Sequence, residues 1–182
     1  PIAIEAIGAQ SGFDAEVVSF DTSAYFNDVD TGDTLEYAVT GLPAGLSINA
    51  ATGEITGVIA NDASQNGNNG VYTAVITVTD AAGATVTQVF TWTVGNPAPV
   101  ASDDSFAVDE DDLLTAGNPN LLVNDVDQDG DPLTVSAVNG LNANIGVAIA
   151  GNGSGVGNGE FIVNGDGSYN FNANGEFEYL AV

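Results

Sequence analysis

The charge of this chain is entirely of one sign. Among its 182 residues are 25 Asp and Glu side chains and no Lys, Arg or His, which gives a formal net charge of −25 at pH 7. Its side chains therefore cannot form salt bridges with one another, and self-repulsion destabilises the compact state unless cations bind or screen it. The charge also excludes phosphate binding by Lys or Arg, and with it ordinary nucleic-acid binding. It disfavours docking to anionic membranes as well.

Many of the acidic residues lie in two loops of nearly the same sequence. The first reads NDVDTGDTL over residues 27–35, and the second reads NDVDQDGDPL over residues 124–133. Together they hold Asp28, Asp30, Asp33, Asp125, Asp127, Asp129 and Asp131. Carboxylates this close repel one another unless a positive charge lies among them. Because the side chains supply none, we expect Ca²⁺, which takes about 6 to 8 oxygen ligands, as the cofactor.

Some of the aspartates have other interpretations. The isolated residues Asp14, Asp21 and Asp166 are expected to accept hydrogen bonds from nearby backbone amides, as aspartates in turns commonly do. The sequence DVDQDG also begins like an EF-hand loop, which requires an acid at position twelve. That position is Ser136 here, and a strand is expected where a helix should follow, so the EF-hand is disfavoured.

The hydrophobic pattern predicts an all-β protein. Short runs rich in β-branched and aromatic residues, such as residues 71–79 and 84–94, alternate with Gly/Pro turns, and no segment has a helical period. Further strands are predicted at residues 16–20, 35–39, 105–108, 121–123, 133–138, 147–149, 161–163, 169–171 and 177–180. The acidic loop recurs about one Ig-sized domain later, so we predict two tandem β-sandwich domains, residues 1–96 and 97–182, joined by a Pro-containing linker. The second half lacks a counterpart of the closing strand pair. We expect that sandwich to be incomplete, through truncation or an insertion after residue 182.

These residues support a family resemblance. The segment FNDVDTGDTLEYAVTGLPAGLSINAATGEITG, followed by VYTAVITVTDAAGATVTQVFTWTV, resembles the dystroglycan-type cadherin-like domain. The segments DDSFAVDEDD, LLVNDVDQDGDPLTV and NGDGSYNFNANGEFEYLAV are similar to the cadherin-like, VCBS-type tandem repeats of giant bacterial RTX adhesins. The resemblance implies Ig-like β-sandwiches joined into calcium-stiffened stalks outside the cell, at the bacterial surface, where such adhesins support attachment and biofilm formation.

The resemblance also extends the predicted metal site. It implies that Asp80, in the loop between the last two strands, approaches Asp28, Asp30 and Asp33. It implies that the second acidic loop faces the linker and the base of the first domain. Further ligands there are expected to be Asn96, Asp103, Asp104 and, less directly, Asp62.

The function that follows is non-enzymatic. Without His, Cys or Lys the usual nucleophile–base pairs are absent, and the carboxylates are explained more simply as metal ligands than as glycosidase acids. Trp92 is expected in the core and not as a sugar-stacking platform. We predict a calcium-binding extender segment of a secreted adhesin whose partners are the neighbouring domains of the same polypeptide. The alternative is a ligand-binding region that recognises sugar or peptide through its Gly/Asn-rich loops.

Overall fold

The protein forms two compact units of β-structure. The computed structural model describes residues 1–30, 32–106, 120–150 and 159–172. The first unit comprises Pro1–Ala98 with Gln128–Gly130, and the second comprises Pro99–Asp127 and Asp131–Val182. Within the described residues, helical structure is limited to three 3₁₀ turns of three residues each. None of these is long or apolar enough to cross a membrane. The all-β prediction is confirmed.

The described residues of the first unit form nine strands. They are β1 (Ile2–Ala3), β2 (Gln10–Phe13), β3 (Val17–Asp21), β4 (Phe26–Asn27), β5 (Glu36–Thr40), β6 (Leu46–Ile48), β7 (Glu54–Val58), β8 (Val71–Thr79) and β9 (Thr85–Gly95). One sheet has the order β2-β9-β8-β5, a second has the order β3-β7-β6, and β1 pairs with β4. The pairs are antiparallel except for β2, which runs parallel to β9 with Gln10 opposite Trp92.

The core of this unit lies where the inward faces of its sheets meet. Alternate residues of β8 and β9 are buried, as expected for strands with one face against a core. Ile55 from β7 and Ile76 from β8 are fully buried. The ring of Phe20 on β3 lies 6.3 Å from Phe90 and 6.2 Å from the edge-on indole of Trp92, so aromatic contacts connect the two sheets.

Trp92 therefore has a structural role. Its side chain is 2% exposed, which confirms the core assignment and excludes a surface sugar platform at this residue. The predicted strands of this half also agree closely with the observed ones. β8 has the predicted bounds, while β9, β5 and β3 differ from prediction by one residue at their ends.

The second unit has less regular structure in its described part. A three-stranded sheet joins β10 (Ile149–Ala150), β11 (Glu160–Val163) and β12 (Tyr169–Asn172) in that order. Tyr169, 6% exposed, packs against Phe106 with 4.8 Å between ring centroids. Tyr169 and Val138 are buried and contribute to its apolar interior, whereas Phe106 is 38% exposed.

Two strands predicted for this half are wrong. Residues 121–123 form a turn, because Asn120 accepts a bond from the Leu122 amide and the Leu121 amide bonds to Gly167. Residues 133–137 belong to no strand, and Val138 forms only an isolated bridge with Leu141, although the Val135 amide donates to the Gly165 carbonyl. The predicted strand residues 107–108 and 177–180 lie outside the described residues, as do any closing strands after residue 172.

The close approach of β6 to β7 yields a stability prediction. Gly45 has a φ of +91°, and a Cβ there would overlap the carbonyl oxygen of Val58. Gly83 has a similar φ of +88° with no atom within 4 Å of the Cβ position. We expect Gly83→Ala to cost about 1 kcal/mol of unfolding free energy through backbone strain alone, and Gly45→Ala to cost about 3 kcal/mol or more. Chemical denaturation measures both, and equal losses would contradict the overlap.

Candidate metal centre

The first acidic loop gathers three carboxylates at one place. Asp28, Asp30 and Asp33 each offer an oxygen, and these oxygens lie within 4.8 Å of one another. The loop follows β4 and is stabilised by hydrogen bonds between its own residues. The Asp30 amide donates to Asp28 Oδ1 at 2.8 Å, and the Asp33 amide donates to the Asp30 carbonyl at 3.3 Å. Asp30 and Asp33 are exposed, so solvent ions reach them.

Asp80 lies beside this loop. The amino group of Pro1 is 2.9 Å from Asp28 Oδ2 and 3.5 Å from Asp80 Oδ2, and both aspartate side chains are only 7% exposed. The Asp80 carboxylate is further held by the Ala84 amide, which donates to its Oδ1 at 2.8 Å. The structure thus brings Asp80 to Asp28, and a positively charged nitrogen lies between the two carboxylates.

These groups match the chemistry of a calcium site. All the side-chain donors are carboxylate oxygens, the ligands that Ca²⁺ prefers, and no basic side chain exists to compete for them. The first loop therefore fits a hard cation, with Asp28, Asp30, Asp33 and Asp80 as its candidate ligands.

The second acidic loop is arranged differently. The segment before it runs antiparallel to its start through a bridge between Val100 and Val126. The Ser102 backbone amide donates to Asp125 Oδ1 at 2.8 Å, and the side-chain amide of Asn124 donates to Asp104 Oδ1 at 3.3 Å.

Further contacts hold this loop together. The Asn124 side chain also reaches the carbonyl of Asp103 at 3.5 Å, and the Asp131 amide donates to Asp127 Oδ1 at 3.3 Å. Asp103 and Asp104 thus lie next to the loop. Among the described residues, however, only the first loop places three acidic oxygens within mutual reach of one ion.

The remaining predicted ligands belong to the first unit. Asp62 precedes the 3₁₀ turn Ala63–Gln65, and Asn96 follows directly after β9; both are exposed. Asp129 is 3% exposed, and its carbonyl accepts a hydrogen bond from the side chain of Asn61. The assignment of all twelve residues as metal ligands remains a prediction.

The isolated aspartates divide into two kinds. Asp21 accepts from the Ser23 amide and Asp166 from the amide and hydroxyl of Ser168, so their local turn interpretation is confirmed. These bonds hold the pKa of both carboxyls below the ordinary value. Asp14 is different: it is fully buried, and its Oδ1 accepts from the amide of Ser64, 50 residues away. The prediction that Asp14 bonds to a nearby backbone amide is therefore wrong. Its partner lies 50 residues away, and nothing in the sequence indicates it.

Two known protein families match the chain, and their matches meet between residues 95 and 96. Residues 1–95 match the family described as "Putative Ig domain". Residues 96–181 match the family described as "Bacterial cadherin-like domain". Cadherin-like domains are extracellular and adhesion-related and generally bind Ca²⁺, and domains of both kinds are typically non-enzymatic. No curated protein sequence matches the chain.

Solved structures with similar folds include cadherins. Drosophila N-cadherin EC1-4 is 16% identical with a TM-score of 0.39, over 92% of this chain and 39% of that one. Human protocadherin-24 EC1-2 is 18% identical with a TM-score of 0.38, over 91% and 73%. A "putative alpha-galactosidase/melibiase" from Bacteroides fragilis is 21% identical with a TM-score of 0.37, over 48% of this chain and only 16% of that one.

The contacts of Asp28 predict its titration. The amide of Asp30 and then the Pro1 ammonium donate to this carboxylate and lower its pKa, while the bond to Asp28 raises the pKa of the Pro1 amino group. The stability that the Asp28 carboxylate contributes is therefore present above its unfolded pKa of about 3.9 and is lost as the pH falls through its folded pKa.

We expect carboxyl ¹³C NMR of the metal-free protein to place the Asp28 midpoint below about 3.9. In Asp28→Asn the pKa of the Pro1 amino group should fall, because its main charged partner is gone. An Asp28 midpoint at or above the ordinary value would contradict the observed contacts.

Proposed function

Since the chain belongs to the Ig-domain family over residues 1–95 and continues into a bacterial cadherin-like domain over residues 96–181, we propose that it is a calcium-binding extender segment of a secreted bacterial surface adhesin. Its proposed role is to hold neighbouring domains of the same polypeptide away from the cell and so to support adhesion and biofilm formation. It acts through its shape and carries out no reaction.

The observation that carries this proposal is the cluster of three carboxylates within 4.8 Å in a chain that has no basic side chain. Two carboxylates at about 4 Å repel by roughly 1 kcal/mol in water and by more where water is excluded. Asp28 is only 7% exposed, so its repulsion with Asp30 is screened less than that of a surface pair. A divalent ion converts this repulsion into attraction.

Calcium is expected to contribute a large fraction of the folding free energy. A site saturated at about 100 times its dissociation constant adds about 2.7 kcal/mol to the folded state. A domain has only about 5–15 kcal/mol of stability in total. Calcium bound at the first loop would therefore contribute a large part of the stability of the β4–β5 connection.

The ligands proposed for the first loop come from two separate turns. Asp28, Asp30 and Asp33 lie on the β4–β5 connection, and Asp80 lies on the β8–β9 turn. An ion bound by both turns ties together two connections that are distant in sequence. The second loop is proposed to bind through Asp125, Asp127 and Asp131, with Asp103 and Asp104 beside it.

A second candidate function is recognition of sugar or peptide. One observation favours it: the second unit has an open groove of about 330 Å³, lined by Phe106, Leu121, Phe161, Val163, Tyr169, Asn170 and Phe171. Aromatic faces with one adjacent amide suit an apolar sugar face or a peptide side chain. A glycan array tests this candidate. Specific binding that is weakened by Phe161→Ala supports it, and the absence of binding leaves the extender role alone.

We expect Ca²⁺ to raise the thermal stability of the protein. Removing it with a chelator should lower the unfolding free energy by about 2–3 kcal/mol for each saturated site, as measured by denaturation at matched ionic strength. Mg²⁺ at the same concentration controls for charge screening. A melting temperature that is unchanged by chelation would contradict a structural role for calcium.

The first loop is tested by a matched pair of variants. The double variant Asp30→Asn and Asp33→Asn should abolish most of the calcium response of the first unit, because two of the three clustered carboxylates lose their charge. The control is Asp21→Asn, which neutralises an exposed aspartate outside the loop whose carboxylate accepts a hydrogen bond from the Ser23 amide. If both proteins gave the wild-type calcium response, the loop would not be the site.

A further inference from the structure

The outward side of the four-stranded sheet carries a set of side chains that the calcium loops do not use. Every second residue of β8 from Val71 to Thr79, and every second residue of β9 from Thr85 to Thr93, is a threonine or a valine. All of them are exposed or half-buried, while most of the residues between them are buried in the core. These residues therefore share one outward surface, the threonine face.

The pairing of β8 with β9 arranges the threonine face in rows. Thr73 lies opposite Thr91, and Val75 lies opposite Val89. Facing residues on adjacent strands are about 4.8 Å apart, and successive rows are about 6.7 Å apart along the strands. Because β-branched side chains have few χ1 rotamers, little side-chain entropy is lost when such a surface is covered.

Acidic residues are nearly absent from this side of the sheet. Among the outward positions of its four strands, which all lie in the described part of the chain, the one acid is Glu36, opposite Thr79 at a corner of the face. On the other sheet, Asp21 lies opposite Glu54 on the outward side. The chain has 25 acids and no basic side chain, so the threonine face is a nearly neutral surface on a strongly negative protein.

The chemistry of the threonine face disfavours several kinds of partner. It has no aromatic ring on which a sugar could stack, and it is the surface of a sheet and not a concave pocket. It also has no positive charge for a phosphate group and almost no negative charge for a basic peptide.

A second copy of the same face has the matching groups. Each threonine offers a methyl group for packing and a hydroxyl that can both donate and accept a hydrogen bond. In a two-fold pair every contact occurs twice, so an array of this kind is complementary to itself. Two chains of charge −25 repel each other, and they repel least where nearly neutral surfaces meet.

We propose that the threonine face is a self-association surface, occupied by the threonine face of a second copy of this chain. The inference goes beyond the proposed calcium-binding function and requires no bound ion. The face measures about 30 Å by about 10 Å, roughly 300 Å² per copy. Stable complexes bury about 800 Å² per partner, so a single pair is weak and transient. Copies held close together associate more strongly because their effective concentration is high.

This pairing has a characteristic dependence on salt. Association between two chains of like charge should strengthen as the ionic strength rises, because salt screens their mutual repulsion. An interface formed by opposite charges would weaken under the same change.

The experiment is a dilution series of the ¹⁵N-labelled full chain by NMR, from about 1 mM downwards, at low and high sodium chloride and at constant calcium. Amide shifts that depend on protein concentration should be confined to residues 71–79 and 85–93 and should be larger at high salt. Val89, which is 62% exposed, lies near the middle of the face. Val89→Glu should weaken association about 10-fold or more, since a two-fold pair would then bury two unpaired carboxylates.

The control is Val17→Glu, which adds the same charge at a valine that is 77% exposed on β3 of the other sheet. It should change the association constant less than about twofold, because it stays in solvent. Equal weakening by both variants would overturn the proposal, as would shifts on residues 17–21 and 54–58 instead, or no concentration dependence at high salt. If Val89→Glu does not fold, Thr91→Glu decides by the same criterion. Because calcium is constant throughout, the result is independent of the chelation test.

Discussion

The absence of positive side chains is the constraint to which the rest of the structure responds. Each buried or crowded carboxylate must be stabilised by backbone amides, by the Pro1 ammonium or by ions from solution. Asp30 offers its amide to Asp28, Ser64 to Asp14 and Ala84 to Asp80. Backbone donors thus replace the arginines and lysines that usually surround acids in proteins.

Much of the first unit could be predicted from its sequence because its signals are local. The alternation of apolar and polar residues over 71–79 and 84–94 indicates which face of each strand meets the core. The observed strand bounds agree with the predicted ones to within one residue. The burial of Trp92 follows from the same alternation. The acidic loop could also be identified from the sequence alone, because its like charges are close together along the chain. Its link to Asp80 required the order of strands in the sandwich, which the family resemblance supplied.

The second unit and Asp14 show where local reasoning ends. Residues 121–123 have the composition of a strand, but Asn120 caps them into a turn against Gly167, a contact about 45 residues away along the chain. The partner of Asp14 is likewise determined by the packing of the 3₁₀ turn against the end of β2. An aspartate followed by alanine gives no indication of burial, and the φ of 61° at Ala15 is visible only in three dimensions. Such contacts come from tertiary packing, which overrides local preference.

The parallel pairing of β2 with β9 has a mechanical consequence. Residues 10–13 lie opposite residues 92–95, so the short strand β2 and the last strand of the first unit, β9, run side by side in the same direction. Tension that pulls the N-terminal side of β2 and the C-terminal side of β9 apart acts along both strands in opposite senses. The backbone hydrogen bonds between them are then loaded in shear and must break together, whereas an antiparallel hairpin pulled from its open end separates one pair at a time. The first unit is therefore braced against stretching along its own strands.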